Sequence, residues 1–142
     1  MTTVSGDDEY DSVADLYDHV VPYNNRGDVE FYVEMAREAG GPVLELGCGT
    51  GRVLVPVARA GVEIVGLDAS AAMLERCRVR LQAEPASVRA GVQLVPGDMR
   101  AFDLHRSFAL VTIPFRPFQH LETVEDQLAC LAQVRRHLVD GG

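Results

Sequence analysis

The stretch Val43 to Arg52, VLELGCGTGR, sets a short apolar run directly against three glycines. A run this brief, closed by glycines at alternate positions, reads as a buried strand entering a tight turn rather than as a helix. Glycine tolerates positive φ and puts no Cβ in the path of a neighbour, so Gly47, Gly49 and Gly51 let the backbone turn closely beside a ligand. A chain that begins its core this way needs a partner strand on each side and a helix to return it to the sheet.

The residues downstream supply both. A helix is expected from about Gly51 to Ala60, with Gly61 as its stop, although Pro56 counts against so early a start. VEIVGLD is a second, β-branched strand, and Ser70 caps a helix over AAMLERCRVRLQA that breaks near Pro85. VQLVPGDM and FALVTIPF read as a third and a fourth strand, closed by prolines. A last helix from Val124 to Leu138, capped by Thr123, carries Val124, Leu128, Leu131 and Leu138 on one face. Upstream, DDEYDSVADLYDHV repeats Tyr10, Val13, Tyr17 and Val20 at helical steps, and Asp28 is placed to cap a second helix, VEFYVEMAREA, ended by Gly40, Gly41 and Pro42. Apolar strands alternating with amphipathic helices predict an α/β domain: a doubly wound, mostly parallel sheet with helices on both faces and right-handed crossovers. At 142 residues the chain is read as one domain, 1–142, with a helical cap over 8–40 and a sheet core over 42–142.

Charge and composition narrow the partners. Thirteen basic residues against twenty-one acidic ones leave a net charge of -8, which disfavours nucleic acid and anionic membrane surfaces. No stretch approaches the about 18 apolar residues of a membrane span. Cys48, Cys77 and Cys130 are odd in number and widely spaced, which argues against a disulfide framework and a zinc site and fits a reducing cytoplasm; no metal is expected.

In a doubly wound sheet a ligand sits beyond the carboxyl ends of the strands. The glycine turn lies there, and Arg52 occupies the sixth position where the dinucleotide fingerprint requires glycine. Without a following Lys and Ser or Thr, a phosphate-gripping P-loop fails as well. Asp68 ends the second strand, where a carboxylate can accept from both hydroxyls of a ribose; Asp98 ends the third, where one can accept an exocyclic amine of a base. Met73 and Met99 offer adaptable packing for an aromatic ring. Cys48, at the mouth of a helix, is either a thiol of lowered pKa or a small filler facing the sheet. His19, His105 and His137 have no partner spacing and are expected to be solvated.

Taken together, VLELGCGTGR, GLDAS and GDM resemble the class I methyltransferases that use S-adenosyl-L-methionine, and the likeness runs through nearly the whole chain. The resemblance implies a Rossmann-like sheet that continues for further strands beyond the fourth. This sequence looks truncated after its fourth strand and the helix that follows. It also implies that Glu45, Gly47, Gly49 and Gly51 lie under the methionine part of the cofactor, that Asp68 binds the ribose, and that Asp98 with Met99 binds the adenine amine, with Cys48, Ala69 and Met73 also expected among the cofactor-binding residues. The YD helix and the segment Ile113 to Leu121 resemble the small-molecule and amino-sugar N-methyltransferase branch. By that likeness Tyr17 folds over the cofactor, Ile113 borders it, and His120 stands near the acceptor as the candidate base, with Arg116 able to clamp an acceptor carboxylate.

The expected function is therefore methyl transfer to a small-molecule amine or hydroxyl. The competing expectation is a cofactor-binding or self-assembling module without turnover, a homodimer paired through the sheet edge left open beyond the fourth strand. An NAD-dependent oxidoreductase is disfavoured by Arg52 and by the lack of a Tyr and Lys pair at catalytic spacing.

Overall fold

VLEL becomes strand β1, Val43–Leu46, and all four of its residues are buried because neighbouring strands flank it on both sides and helices cover both faces. The computed structural model describes residues 28–114 and 120–142. The expected helix bearing Tyr17 and the loop residue Arg116 lie outside the described residues. Among these, α1 (Asp28–Ala39) precedes β1; α2 (Leu54–Arg59), β2 (Ile64–Asp68), α3 (Ala71–Gln82), α4 (Ala86–Arg89), β3 (Val92–Pro96), β4 (Leu110–Thr112) and α5 (Val124–His137) follow.

The strands form one sheet in the order β3-β2-β1-β4, with every pair parallel. The chain winds outward from β1 in one direction to β3, then crosses back to place β4 on the other side. That reversal beside β1 is where an open α/β sheet opens a crevice at its carboxyl ends. Alternation along the strands divides the core into two layers. Val43 and Ile64 face a layer built with Leu54, Val57, Leu74 and Cys77 from α2 and α3 and Ala36 from α1. Leu44, Leu46, Val65 and Leu67 face the opposite layer with Phe108, Leu121 and Cys130. The fold is thus the expected α/β arrangement with helices on both faces.

Local chemistry explains most boundaries. Ser70 and Thr123 cap α3 and α5, accepting from the N–H groups of Met73 and Asp126 at 3.1 and 3.0 Å. Because α2 opens at Leu54 rather than near Gly51, Pro56 stands in the first turn, where its missing N–H costs no intrahelical bond. Asp28 is the first residue of α1, and its carboxylate accepts from the Arg52 guanidinium at 3.2 and 3.0 Å. The short α4, opened by Pro85, was not anticipated from the break after α3.

Two expectations are corrected. The Val124, Leu128 and Leu131 face of α5 does not pack inward: those residues are 70%, 60% and 49% exposed, and the helix buries Cys130 and His137 instead. His137 is accordingly a core residue and not a solvated one. Its Nε2 accepts from Leu104 N–H at 3.1 Å, which leaves Nδ1 to donate to the Gln133 carbonyl at 2.7 Å in a neutral ring. Two residues ahead of β4, Leu138 forms an isolated parallel bridge with Phe108, and Val139 N–H donates to the Phe108 carbonyl at 2.9 Å. Among the described residues no helix is long and apolar enough to cross a membrane, and no cluster of three or more potential ligands could hold a metal.

Candidate functional site

The crevice is built from the residues that leave β1, β2 and β3. After Leu46 the chain turns through Gly47, Gly49 and Gly51, all at positive φ. The N–H groups of Gly47 and Cys48 both donate to the Leu67 carbonyl at 2.7 and 3.2 Å, which fastens the turn to the end of β2. Asp68 completes that fastening. Its Oδ2 accepts from Gly49 N–H and its Oδ1 from Ser70 N–H, each at 2.8 Å. One carboxylate therefore organises both the glycine loop and the N-terminus of α3. Asp68→Ala is expected to cost about 1 to 3 kcal/mol of stability by releasing those two N–H groups, measured by urea denaturation.

Glu45 sits one residue inside this loop, on the face of β1 that also carries Val43, in register with Gly66 and Thr112. Its side chain is only 2% exposed, and Oε1 has no hydrogen-bond partner among the described residues. Burial pushes its carboxyl from an ordinary 4.5 up to about 8, Arg52 pulling it down and Asp68 pushing it up further. Arg52 fails to restore ionisation because its guanidinium is already forked onto Asp28 at 3.2 and 3.0 Å. The same acidic surroundings reach Tyr32 on α1, whose hydroxyl is raised by burial, then by Asp28 and Glu45.

Cys48 resolves to one of its two expected roles. It is buried, and burial, reinforced by Glu45 and Asp68, holds its thiol well above the usual range, so it is an inert filler against the sheet. A Cβ on Gly66 would lie 2.8 Å from Cys48 Sγ, which marks how closely the loop presses on β2. Met73 is a core residue beneath the loop, at 2% exposure, and Met99 is half-buried against the opposite layer. Ala69 is exposed at the mouth of the crevice.

At the end of β3, Asp98 is half-exposed and already partnered. Arg100 donates Nε to both carboxylate oxygens at 3.0 Å and Nη2 to Oδ2 at 2.5 Å, while its Nη1 reaches Asp126 on α5 at 3.3 Å. The Arg100 side-chain bond is the main reason the Asp98 carboxyl lies below its ordinary range. Ile113, just past β4, packs half-buried in the second core layer, and His120 is exposed ahead of α5. The structure therefore gathers Glu45, the glycine loop, Asp68 and Asp98 at successive strand ends, and places Met73 under them rather than beside an open face. Tyr17 lies outside the described residues.

Sequence reading missed two groups at this site. Arg100 stands two residues after Asp98, so its ion pair was within reach of a local pattern. The Asp28–Arg52 fork joins residues far apart along the chain and left no local trace.

Comparison with known proteins places these observations in a family. Residues 43–142 match the family described as "Methyltransferase domain". The chain is 31% identical over 137 residues to the dTDP-3-amino-3,4,6-trideoxy-alpha-D-glucopyranose N,N-dimethyltransferase of Streptomyces venezuelae, an alignment covering 91% of this chain and 54% of that protein. Among solved structures, the CcbJ methyltransferase from Streptomyces caelestis superposes with a TM-score of 0.80 at 34% identity, covering 92% of this chain and 53% of that one. The glycopeptide N-methyltransferase MtfA, solved in complex with S-adenosyl-L-methionine, gives a TM-score of 0.73 at 38% identity, covering 80% and 51%. The chain spans about half the length of each of these proteins.

Proposed function

We propose, from the premise that this chain belongs to the class I S-adenosylmethionine-dependent methyltransferases, that it binds S-adenosylmethionine over its glycine loop and serves methyl transfer to a small-molecule amine. The observation that carries this reading is the meeting of the Gly47–Gly51 turn, the buried Glu45 carboxyl and Asp68 at adjacent strand ends. These residues fit the cofactor chemically. The Oε1 of Glu45, without a partner among the described residues, is an acceptor for the ammonium of a methionine tail, and Asp68, at the end of β2, is the carboxylate assigned to the ribose hydroxyls. Asp98 takes the adenine amine by sharing its carboxylate with Arg100, and Met99 packs beside the base. Tyr17 and Ile113 are assigned to the cofactor's flank by family likeness.

When bound, the cofactor supplies a methyl group on a positively charged sulfur. What the chain must add is alignment and exclusion of water, which in favourable intramolecular cases is worth on the order of 7 to 11 kcal/mol. A carbon–nitrogen bond forms as the carbon–sulfur bond breaks, and the proton lost by the amine passes to a base or to solvent. His120, exposed ahead of α5, is the proposed base. The amine acceptor is supported by the relatives, an amino-sugar N,N-dimethyltransferase and a glycopeptide N-methyltransferase.

The test is calorimetric titration with S-adenosylmethionine and, separately, NAD, followed by a radiolabelled methyl-transfer assay on amino sugars and small amines. Saturable binding of S-adenosylmethionine and label transfer are the expected results. Binding of NAD alone overturns the cofactor assignment, and cofactor binding without transfer on any acceptor favours a binding module.

A further inference from the structure

We infer that Glu45 senses the positive charge of the ligand's amino-acid tail, standing neutral in the ligand-free protein and surrendering its proton when that tail binds. The inference rests on the cofactor reading above and adds to it a proton stoichiometry and a basis for selectivity.

The geometry is specific. Glu45 lies on the central strand with its other face backed by Leu44 and Leu46, and its side chain is almost wholly removed from water. One oxygen is left without a partner among the described residues. A buried carboxylate lacking a compensating charge gives up its ionisation before it gives up burial. Among the described residues, the charged and titratable groups that bear on it add negative charge, stay neutral or, for Arg52, are shared with another carboxylate. From the loop, Arg52 is forked onto Asp28. From β2, Asp68 contributes negative charge. From α1, Tyr32 feels Glu45 as a like charge, with Asp28 beside it. From the loop and α3, Cys48 and Cys77 hold neutral thiols raised by burial and by Glu45 itself, Cys77 to about 12. For a carboxyl so buried, with one oxygen unpartnered among the described residues, a ligand's ammonium would be the missing counter-charge.

The consequence is that cofactor capture exchanges a buried acid proton for a buried ion pair. Below pH 8, binding then releases close to one proton, and apparent affinity rises about tenfold for each pH unit. A nucleoside that lacks the charged tail gains nothing from this site. Glu45 therefore selects for ligands carrying the tail as well as holding them.

Titration calorimetry of the full chain with S-adenosylhomocysteine, at pH 6.5 and 7.5 in buffers of different ionisation enthalpy, reads the exchange directly. The expected result is release of nearly one proton and a tenfold tighter Kd at the higher pH. With 5′-methylthioadenosine, which has the same nucleoside and no ammonium, binding is expected with no proton release. The isosteric Glu45→Gln is expected to bind S-adenosylhomocysteine without proton release and with a Kd independent of pH. Because a variant can fail for structural reasons, the 13Cδ resonance of Glu45 in the native chain provides a second readout. It should report a protonated carboxyl at pH 7 and an ionised one at saturation. Binding without proton release, release that persists in Glu45→Gln, or release with 5′-methylthioadenosine overturns the inference while leaving the cofactor reading intact. Failure of both nucleosides to bind overturns the two together.

Discussion

The ligand-free protein is expected to lose stability as pH rises from about 5 to 8, by up to on the order of 5 kcal/mol from Glu45 alone. The carboxyl titrates near 4.5 in the unfolded chain and near 8 in the folded one. Between those values the folded state holds a proton that the unfolded state has released. Stability from this group is therefore fully present below 4.5 and is lost as pH passes through 8, with a steepest slope of about 1.4 kcal/mol per pH unit. Glu45→Gln, which mimics the protonated acid, removes the slope. It should match the native protein near pH 5 and exceed it at pH 8. Urea denaturation of both proteins across this range, followed by circular dichroism, checks the difference, which cancels every other titrating group. Parallel curves for the two proteins would mean that Glu45 is ionised in the folded state.

The second large effect is expected at Gly66. A Cβ there would lie 2.5 Å from Leu54 Cδ1, 2.8 Å from Cys48 Sγ and 3.0 Å from Cys48 Cβ. Gly66 thus lets α2 and the glycine turn settle onto β2 directly beside Glu45. Gly66→Ala forces one or both away and should destabilise by about 1 to 3 kcal/mol through overpacking. Leu54→Ala alone leaves a cavity and should cost about 2 to 5 kcal/mol. In the double variant the new methyl occupies space that Leu54 vacates, so the combined loss should fall short of the sum by at least about 0.5 kcal/mol. Strict additivity would show that the close contact is relieved by the Leu54 side chain turning away at no cost.

These two positions also show where sequence reading stops. Glu45 was recognisable as an acid inside a motif, and Gly66 as a glycine inside a β-branched run. Neither its neutral state nor the glycine's necessity follows from local pattern. The first depends on how completely the fold removes Glu45 from water, with Arg52 shared with Asp28, and the second on which helix side chains arrive above β2. The α5 face makes the same point from the other side. Helical spacing put Val124, Leu128 and Leu131 on one stripe, and the helix turned a stripe of Cys130, Val134 and His137 to the sheet instead. Periodicity says that two faces differ and does not say which neighbour each will find.

What the sequence determined by itself was everything carried by local backbone preference and by period. That covers a strand at VLEL, a turn demanded by three glycines, caps at Ser70 and Thr123, the alternation that yields a parallel sheet, and acids at successive strand ends. What only the tertiary structure decided were the electrostatic states and close approaches produced by residues distant in the chain. These include the Asp28–Arg52 fork, the Arg100 bridge from Asp98 to Asp126, the His137 ring held between Leu104 and Gln133, and the burial of Glu45 with one oxygen unpartnered among the described residues. The physical reason is range. Caps and turns are satisfied within a few residues, whereas the energy of a charge is set by which groups fold in around it and how much water they exclude.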